Sequence, residues 1–237
     1  WSDIDGALFD VNLQQDNFLG KGKNIRVKAT KTAVTSSLAA YLTDPYYTPD
    51  GVSRTISATI SQVDVSGTST SSYLSDTFGA GVMYDMPVSE TSYLGLGYDV
   101  SLTEFTTTNY SPIIVTHHID DHGENALGIT IKASFSDDTR NRTIFAETGV
   151  LHSLNSQLFL GIEGASHISA LYNTETNIPY VLKTFGFDWY TVVQAKTRLG
   201  IGGGLGSATS LPFYNKFFAG GKGTVRGFKG SSLGPLT

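Results

Sequence analysis

Six side chains able to ligate a metal crowd into residues 117–124: His117, His118, Asp120, Asp121, His122 and Glu124. Zinc sites draw their ligands from set spacings, and this stretch matches none of them. It reads instead as a solvated loop, and no metal or other cofactor is expected. Nucleophilic chemistry finds no better support. Five histidines and many serines and aspartates are present, but no GxSxG elbow, no HExxH helix and no cysteine. The glycines of "GIGGGLG" at 200–206 fit neither a dinucleotide fingerprint nor a phosphate loop. They are expected to thin a strand where another segment packs against it. Asp137, Arg140 and Arg142 in "DDTRNR" read as a salt-bridged turn. The chain is therefore not expected to be an enzyme.

One stretch has the chemistry of recognition rather than of reaction. "FFAGGKGTVRGFKGSSLGP", residues 217–235, sets Val225, Arg226, Gly227 and Phe228 in a glycine-rich loop. A guanidinium presents five donors in a planar fork that suits a carboxylate, and the flanking glycines let the backbone turn sharply toward a wall. That wall must come from the rest of the chain. With 40% hydrophobic and only 16% charged residues, the chain can bury or embed a large surface. Its net charge of −5 and lack of a basic patch argue against a nucleic-acid partner. No apolar run reaches the length of a membrane-spanning helix.

Period-two alternation dominates and helical periodicity is nearly absent. Ten strands are expected near 6–15, 23–33, 34–43, 52–63, 72–85, 92–104, 125–136, 150–162, 168–180 and 189–203. The clearest cases carry one apolar face, as in Ile129, Ile131, Ala133 and Phe135, opposite Thr130, Lys132 and Ser134. A soluble sandwich and a membrane barrel share this alternation, which by itself does not separate them. Two further signals favour the barrel. Compact turns such as "QQDNFLGKGK", "TDPYYTPDGV" and "MPVSETS" alternate with looser loops such as "DVSGTSTSSY" and "TEFTTTNYSPIIVTHHIDDHGEN". Aromatic residues (Phe18, Tyr46, Tyr47, Tyr84, Tyr93, Phe145, Tyr180, Trp189) gather beside the compact turns, as in an interfacial girdle.

The closing stretch "LPFYNKFFAGGKGTVRGFKGSSLGP" resembles the sixth extracellular loop of the BamA family of outer-membrane protein insertases, with its pattern PFYxxFxAGGxxTVRGFxxxxxGP. "VNLQQDNFLGKG", "LTDPYYTPDGVS" and "DTRNRTIFAETG" resemble that family's second strand and turn, its fourth strand and turn, and its longer periplasmic turn. The resemblance implies an all-β, antiparallel transmembrane β-barrel of the outer-membrane type. Residues 1–237 would form about ten of sixteen strands and end in a lumen-inserted loop at about 207–237. The first strand, the last five strands and the POTRA domains would lie outside the chain, as would the seam at which clients insert. The implied function is folding and inserting β-barrel proteins into the outer membrane of a Gram-negative bacterium. The implied partners are outer-membrane lipids, unfolded β-barrel clients and the BAM lipoproteins. Val225, Arg226, Gly227 and Phe228 would be its lumen-inserted motif, with Arg226 paired to an acid beyond Thr237. A TamA-like assembly protein or a two-partner secretion transporter would share this motif, and a passive porin is a third alternative.

Overall fold

The computed structural model describes residues 8–64, 73–108, 111–184, 187–206, 208–221, 224–228 and 233–234. Ten strands form a single antiparallel sheet in strict sequence order: β1 (Phe9–Phe18), β2 (Lys23–Lys31), β3 (Thr35–Asp44), β4 (Ser53–Asp64), β5 (Tyr73–Pro87), β6 (Ser92–Thr107), β7 (Asn125–Asp138), β8 (Gly149–Gly161), β9 (His167–Thr184) and β10 (Phe187–Gly204). Each expected strand is present. β9 and β10 run longer than expected and pair over their whole length from Phe187↔Thr184 to Gly204↔His167. The sheet is an open arc of a barrel wall, since β1 and β10 do not pair with each other among the described residues.

The two faces of the arc differ as the alternation requires. On β7, Ile129, Ile131 and Phe135 are exposed outward at 39–47%. Thr130, by contrast, is buried, and Lys132 turns inward to an ion pair with Asp99 of β6. Val82, Val100 and Leu160 lie on the same outer face by register. A row of exposed aliphatic side chains is costly in water but favourable against lipid, so the outer face is the membrane face. The aromatics expected at the boundary are largely there: Tyr46, Tyr93, Phe145, Tyr180 and Trp189 are all more than half exposed. Tyr47 and Tyr84 touch, with ring centres 5.8 Å apart, and the Arg54 guanidinium lies 4.0 Å above the Tyr47 ring.

Two expectations need correction. The connections at 32–34 and 162–166 are as short as the turns on the opposite rim, so loop length alternates less regularly than anticipated. Thr32 explains the first, because its buried hydroxyl accepts hydrogen bonds from the Val34 and Thr35 amides and closes the turn tightly. The second correction concerns "PIIVTHHIDDHG", which is no solvated loop. It forms a helix, α1 (Ile113–His122), between Pro112 at its N-cap and Gly123 at its C-cap, where the Gly123 amide donates to the Ile119 carbonyl at 2.8 Å. Gly123 takes φ 86°, a left-handed conformation that suits glycine at a helix end.

Candidate functional site

The segment after β10 folds back onto the inner face, and the glycines of that strand make room for it. A Cβ on Gly200 would lie 2.9 Å from the Phe217 ring, and one on Gly202 would lie 3.0 Å from Leu211. A Cβ on Gly204 would overlap the Ala208 carbonyl. The "GIGGGLG" run is thus a thinned track on which the loop lies, as its composition led us to expect. Gly203 faces the other way and has open space around it. The Leu205 amide donates to the Ser166 carbonyl at 2.9 Å, which ties the start of the loop to the β8–β9 connection.

Beyond this track the loop enters an aromatic cap. A short 3-10 turn, η1 (Phe213–Asn215), places Phe213 and Tyr214 between α1 and the ends of β5 and β6. Phe213 meets Tyr73 at 5.0 Å and 82°, Phe105 at 5.3 Å and His118 at 5.3 Å and 78° between ring centres and planes. Tyr214 stacks on Phe105 at 4.8 Å. Phe105, Val115, Ala126, Phe159 and Phe213 form the buried centre. Edge-to-face pairs at such distances add roughly 0.5–1.5 kcal/mol each beyond area burial, so the cap is a real packing site. His167, almost wholly buried, stacks on Phe159, bonds the Ala165 carbonyl through Nδ1 and meets the Asn215 amide through Nε2. His118 is desolvated by the cap and lies beside His122, which together push its pKa down to about 4. Burial pushes the Tyr214 hydroxyl up to about 12.

The distal part of the loop closes on itself. Ala219 and Leu233 form a two-way bridge at 2.6 and 2.9 Å, and the Gly221 amide donates to the Phe228 carbonyl at 3.0 Å. The Thr224 hydroxyl donates to the Gly220 carbonyl at 2.8 Å and accepts from the Gly220 amide at 2.7 Å. Gly220, Gly221 and Gly227 all have positive φ, which glycine alone adopts cheaply. This frame holds Val225, Arg226, Gly227 and Phe228 at an exposed turn. Among the described residues no carboxylate pairs with Arg226; the acid expected for it would stand beyond Thr237.

Charge on the inner wall is organised in networks. Arg140 holds Asp138 with two bonds of 2.8 Å and reaches Glu175 at 3.2 Å, and Glu175 also pairs with Lys196 at 3.1 Å. These partners, the Asp138 hydrogen bond first among them, raise the Arg140 pKa above its ordinary value. Arg142 pairs with Glu147 across the same turn. The "DDTRNR" stretch is therefore a salt-bridged turn, except that Asp137 points outward. Among the described residues His117, Asp120, Asp121 and Glu124 form no metal-ligating group with their neighbours. Sequence reasoning placed His118 in a solvated loop and passed over Phe105 and the helix carrying Val115. The helix's signal was Pro112 and Gly123 bracketing Val115, His118, Ile119 and His122 at helical spacing.

A wall of amphipathic antiparallel strands, apolar outward, with a glycine-framed loop laid on its inner face, defines a transmembrane β-barrel protein with an inserted loop. The chain belongs to the Omp85 superfamily, whose domain matches residues 17–237. It is an outer-membrane β-barrel protein of the Gram-negative type. It is 29% identical over 245 residues to the outer membrane protein assembly factor BamA of Neisseria meningitidis serogroup B, covering 99% of this chain and 30% of that protein. It is also 26% identical over 231 residues to a SAM50-like protein of Drosophila melanogaster, covering 93% of this chain and 48% of that one. The chain thus spans less than half the length of either relative. The crystal structure of BamA from Haemophilus ducreyi lacking POTRA domains 1–3 shares its fold, with a TM-score of 0.86 at 23% identity over 99% of this chain and 45% of that one.

Proposed function

We propose that this chain is part of the barrel of an assembly factor that folds and inserts β-barrel proteins into the outer membrane. The observation that carries the reading is the likeness to the BamA assembly factor along 99% of the chain, loop included. The loop packing suits the role. An insertase must keep its lumen from becoming an open pore, and a loop seated by Gly200, Gly202 and Gly204 lies on the inner side of the wall, where it narrows the lumen. The work is strand addition: backbone amides and carbonyls offered at a sheet edge template the incoming strand. It requires no cofactor and breaks no covalent bond, so the protein is not an enzyme. Its partners on this reading are unfolded β-barrel clients, outer-membrane lipids and the BAM lipoproteins, with no nucleic acid.

The test is reconstitution. The full-length protein that carries this chain, placed in liposomes with its partner lipoproteins, is given an unfolded outer-membrane barrel, and folding is followed by resistance to unfolding in unheated gel samples. Acceleration over empty liposomes supports the reading. Acceleration that is absent for barrels but replaced by export of a single large secreted substrate identifies a two-partner secretion transporter. Steady ohmic conductance through a planar bilayer identifies a porin.

A further inference from the structure

The outer face of the wall carries a polar array that neither the inserted loop nor the membrane-spanning role accounts for. On β6, β7, β8 and β9 the register aligns two neighbouring outward rows. One is Leu94, Phe135, Leu154 and Tyr172; the next, toward the rim that carries the 139–148 turn, is Ser92, Asp137, His152 and Thr174. The change from apolar to polar is complete within one repeat. From Leu127 to Asp137 is ten steps along β7, about 34 Å of strand at ~3.4 Å each. Tilted by about 40°, that covers roughly 26 Å of membrane normal, close to the ~25 Å apolar band of such barrels. Asp137 therefore stands where acyl chains give way to headgroups.

The array is built rather than scattered. Thr91 and Ser92 hydroxyls both donate to Asp137 Oδ1, each at 2.8 Å. Oδ2 takes no hydrogen bond among the described residues, so the carboxylate is held in place by one oxygen and keeps the other for a further donor. Asp137 and His152 are directly paired across the strands, which sets their Cβ atoms about 4.5–5.5 Å apart. His152 Nδ1 is bonded to the Tyr172 hydroxyl at 2.7 Å, with the rings stacked at 15°. With Tyr172 donating, the ring hydrogen sits on Nε2 and is available to an acceptor. A fixed anion and a fixed donor lie side by side beneath a ledge of Leu94, Phe135 and Leu154.

We propose that Asp137, His152 and Tyr172 form a binding site for a phospholipid whose headgroup bears a primary ammonium, as in phosphatidylethanolamine. The ammonium donates to Asp137 Oδ2, the phosphate accepts from His152 Nε2, and the acyl chains lie along the apolar row. As cross-strand neighbours, the two protein groups lie close enough for a headgroup in which a short two-carbon bridge joins phosphate to ammonium to reach both. A quaternary choline headgroup has no N–H to give Asp137, and an anionic glycerol headgroup is repelled by it. The site depends only on the membrane-spanning wall, not on the insertion role proposed above.

Native mass spectrometry of the detergent-solubilised full-length protein tests this, using phosphatidylethanolamine, phosphatidylcholine and phosphatidylglycerol with identical acyl chains. Retention of phosphatidylethanolamine over phosphatidylcholine by about fivefold is expected, the reach of one partly exposed ion pair. Asp137→Asn, which keeps the shape and the serine and threonine bonds, should erase the preference. His152→Gln should weaken both zwitterionic lipids while leaving their order unchanged. Equal retention of the three lipids, a preference for phosphatidylglycerol, or a preference that survives Asp137→Asn would overturn the assignment.

Discussion

Gly203 and Gly204 are adjacent, both lie in β10, and neither has a positive φ, so alanine is conformationally acceptable at each. Only one of them faces the loop. A Cβ on Gly203 meets nothing within 4 Å, whereas one on Gly204 would lie 2.5 Å from the Ala208 carbonyl carbon and 2.7 Å from its Cβ. The obstacle at Gly204 is largely backbone, which cannot rotate away as a side chain can. Overpacking of this kind costs about 1–3 kcal/mol. At 1.4 kcal/mol per factor of ten, Gly204→Ala should shift the balance between seated and released loop by roughly 5- to 150-fold toward release. Gly203→Ala should stabilise the strand by about 0.5–1 kcal/mol, the usual gain on replacing glycine inside a strand. Limited proteolysis of the full-length protein in lipid nanodiscs reads the difference directly. Cleavage within 208–228 should accelerate in Gly204→Ala and not in Gly203→Ala, while the barrel itself stays resistant. Equal protection of the loop in both variants would refute the idea that these glycines exist to seat it.

The outer face should show itself to spin labels: cysteine-linked probes at 129, 131, 133 and 135 should be quenched by a lipid-soluble relaxant and those at 130, 132 and 134 should not, and uniform quenching would remove the membrane assignment. His118 supplies a pH test. Its pKa in the folded cap is about 4, below the usual value of 6.5, so the packing of α1 on η1 is fully present above about pH 6.5 and weakens as pH falls toward 4. His122 and His167 push the same way as burial, Asp121 opposes them, and Tyr214 stays neutral throughout. Protection of 113–122 against hydrogen exchange, taken relative to the intrinsic exchange rate at each pH, should therefore fall between pH 7 and 4.5, and His118→Gln should flatten that response. For the exposed turn, Arg226→Ala should slow client assembly in the reconstituted system, with Arg226→Lys restoring only part of it because an ammonium lacks the planar fork; an Arg226→Ala protein of native activity would show the guanidinium to be one more loop charge.

The wall was legible because a barrel strand is written in one residue and its second neighbour. Ile129, Ile131 and Phe135 point one way and Thr130 and Lys132 the other, and nothing distant in the chain can alter that parity. The glycine track at 200–204 was legible for a related reason, since a strand without side chains implies something laid against it. The cap was not. α1 carries only a narrow apolar stripe, Val115 and Ile119 with His118 between, in a stretch crowded with ionisable residues that mimics a loop or a metal site. What makes it helical is tertiary: Phe213 and Tyr214 arrive from about a hundred residues away to cover that stripe. The array of Ser92, Asp137, His152 and Tyr172 was hidden for the same reason, because four strands must be placed in register before its members become neighbours. As for Arg226, the structure shows the glycine turn with the guanidinium exposed, and the acid expected to pair with it is not among the described residues.

The molecule is built on two different economies of side-chain space. On the apolar outer rows of the wall, side chains such as Ile129, Ile131 and Phe135 face lipid, and neighbours touch chiefly through the backbone ladder; a residue there can be exchanged for another of the same polarity without disturbing those beside it. In the cap, Phe105, Val115, Phe159, Phe213 and His167 interlock as in the interior of a water-soluble protein, where each shape constrains the next. A redesign of this chain would have wide latitude on the apolar lipid-facing rows and very little at the cap. A thickness change in the host membrane could be met by trading residues in the rows, leaving the packed lid, and whatever depends on its fit, untouched.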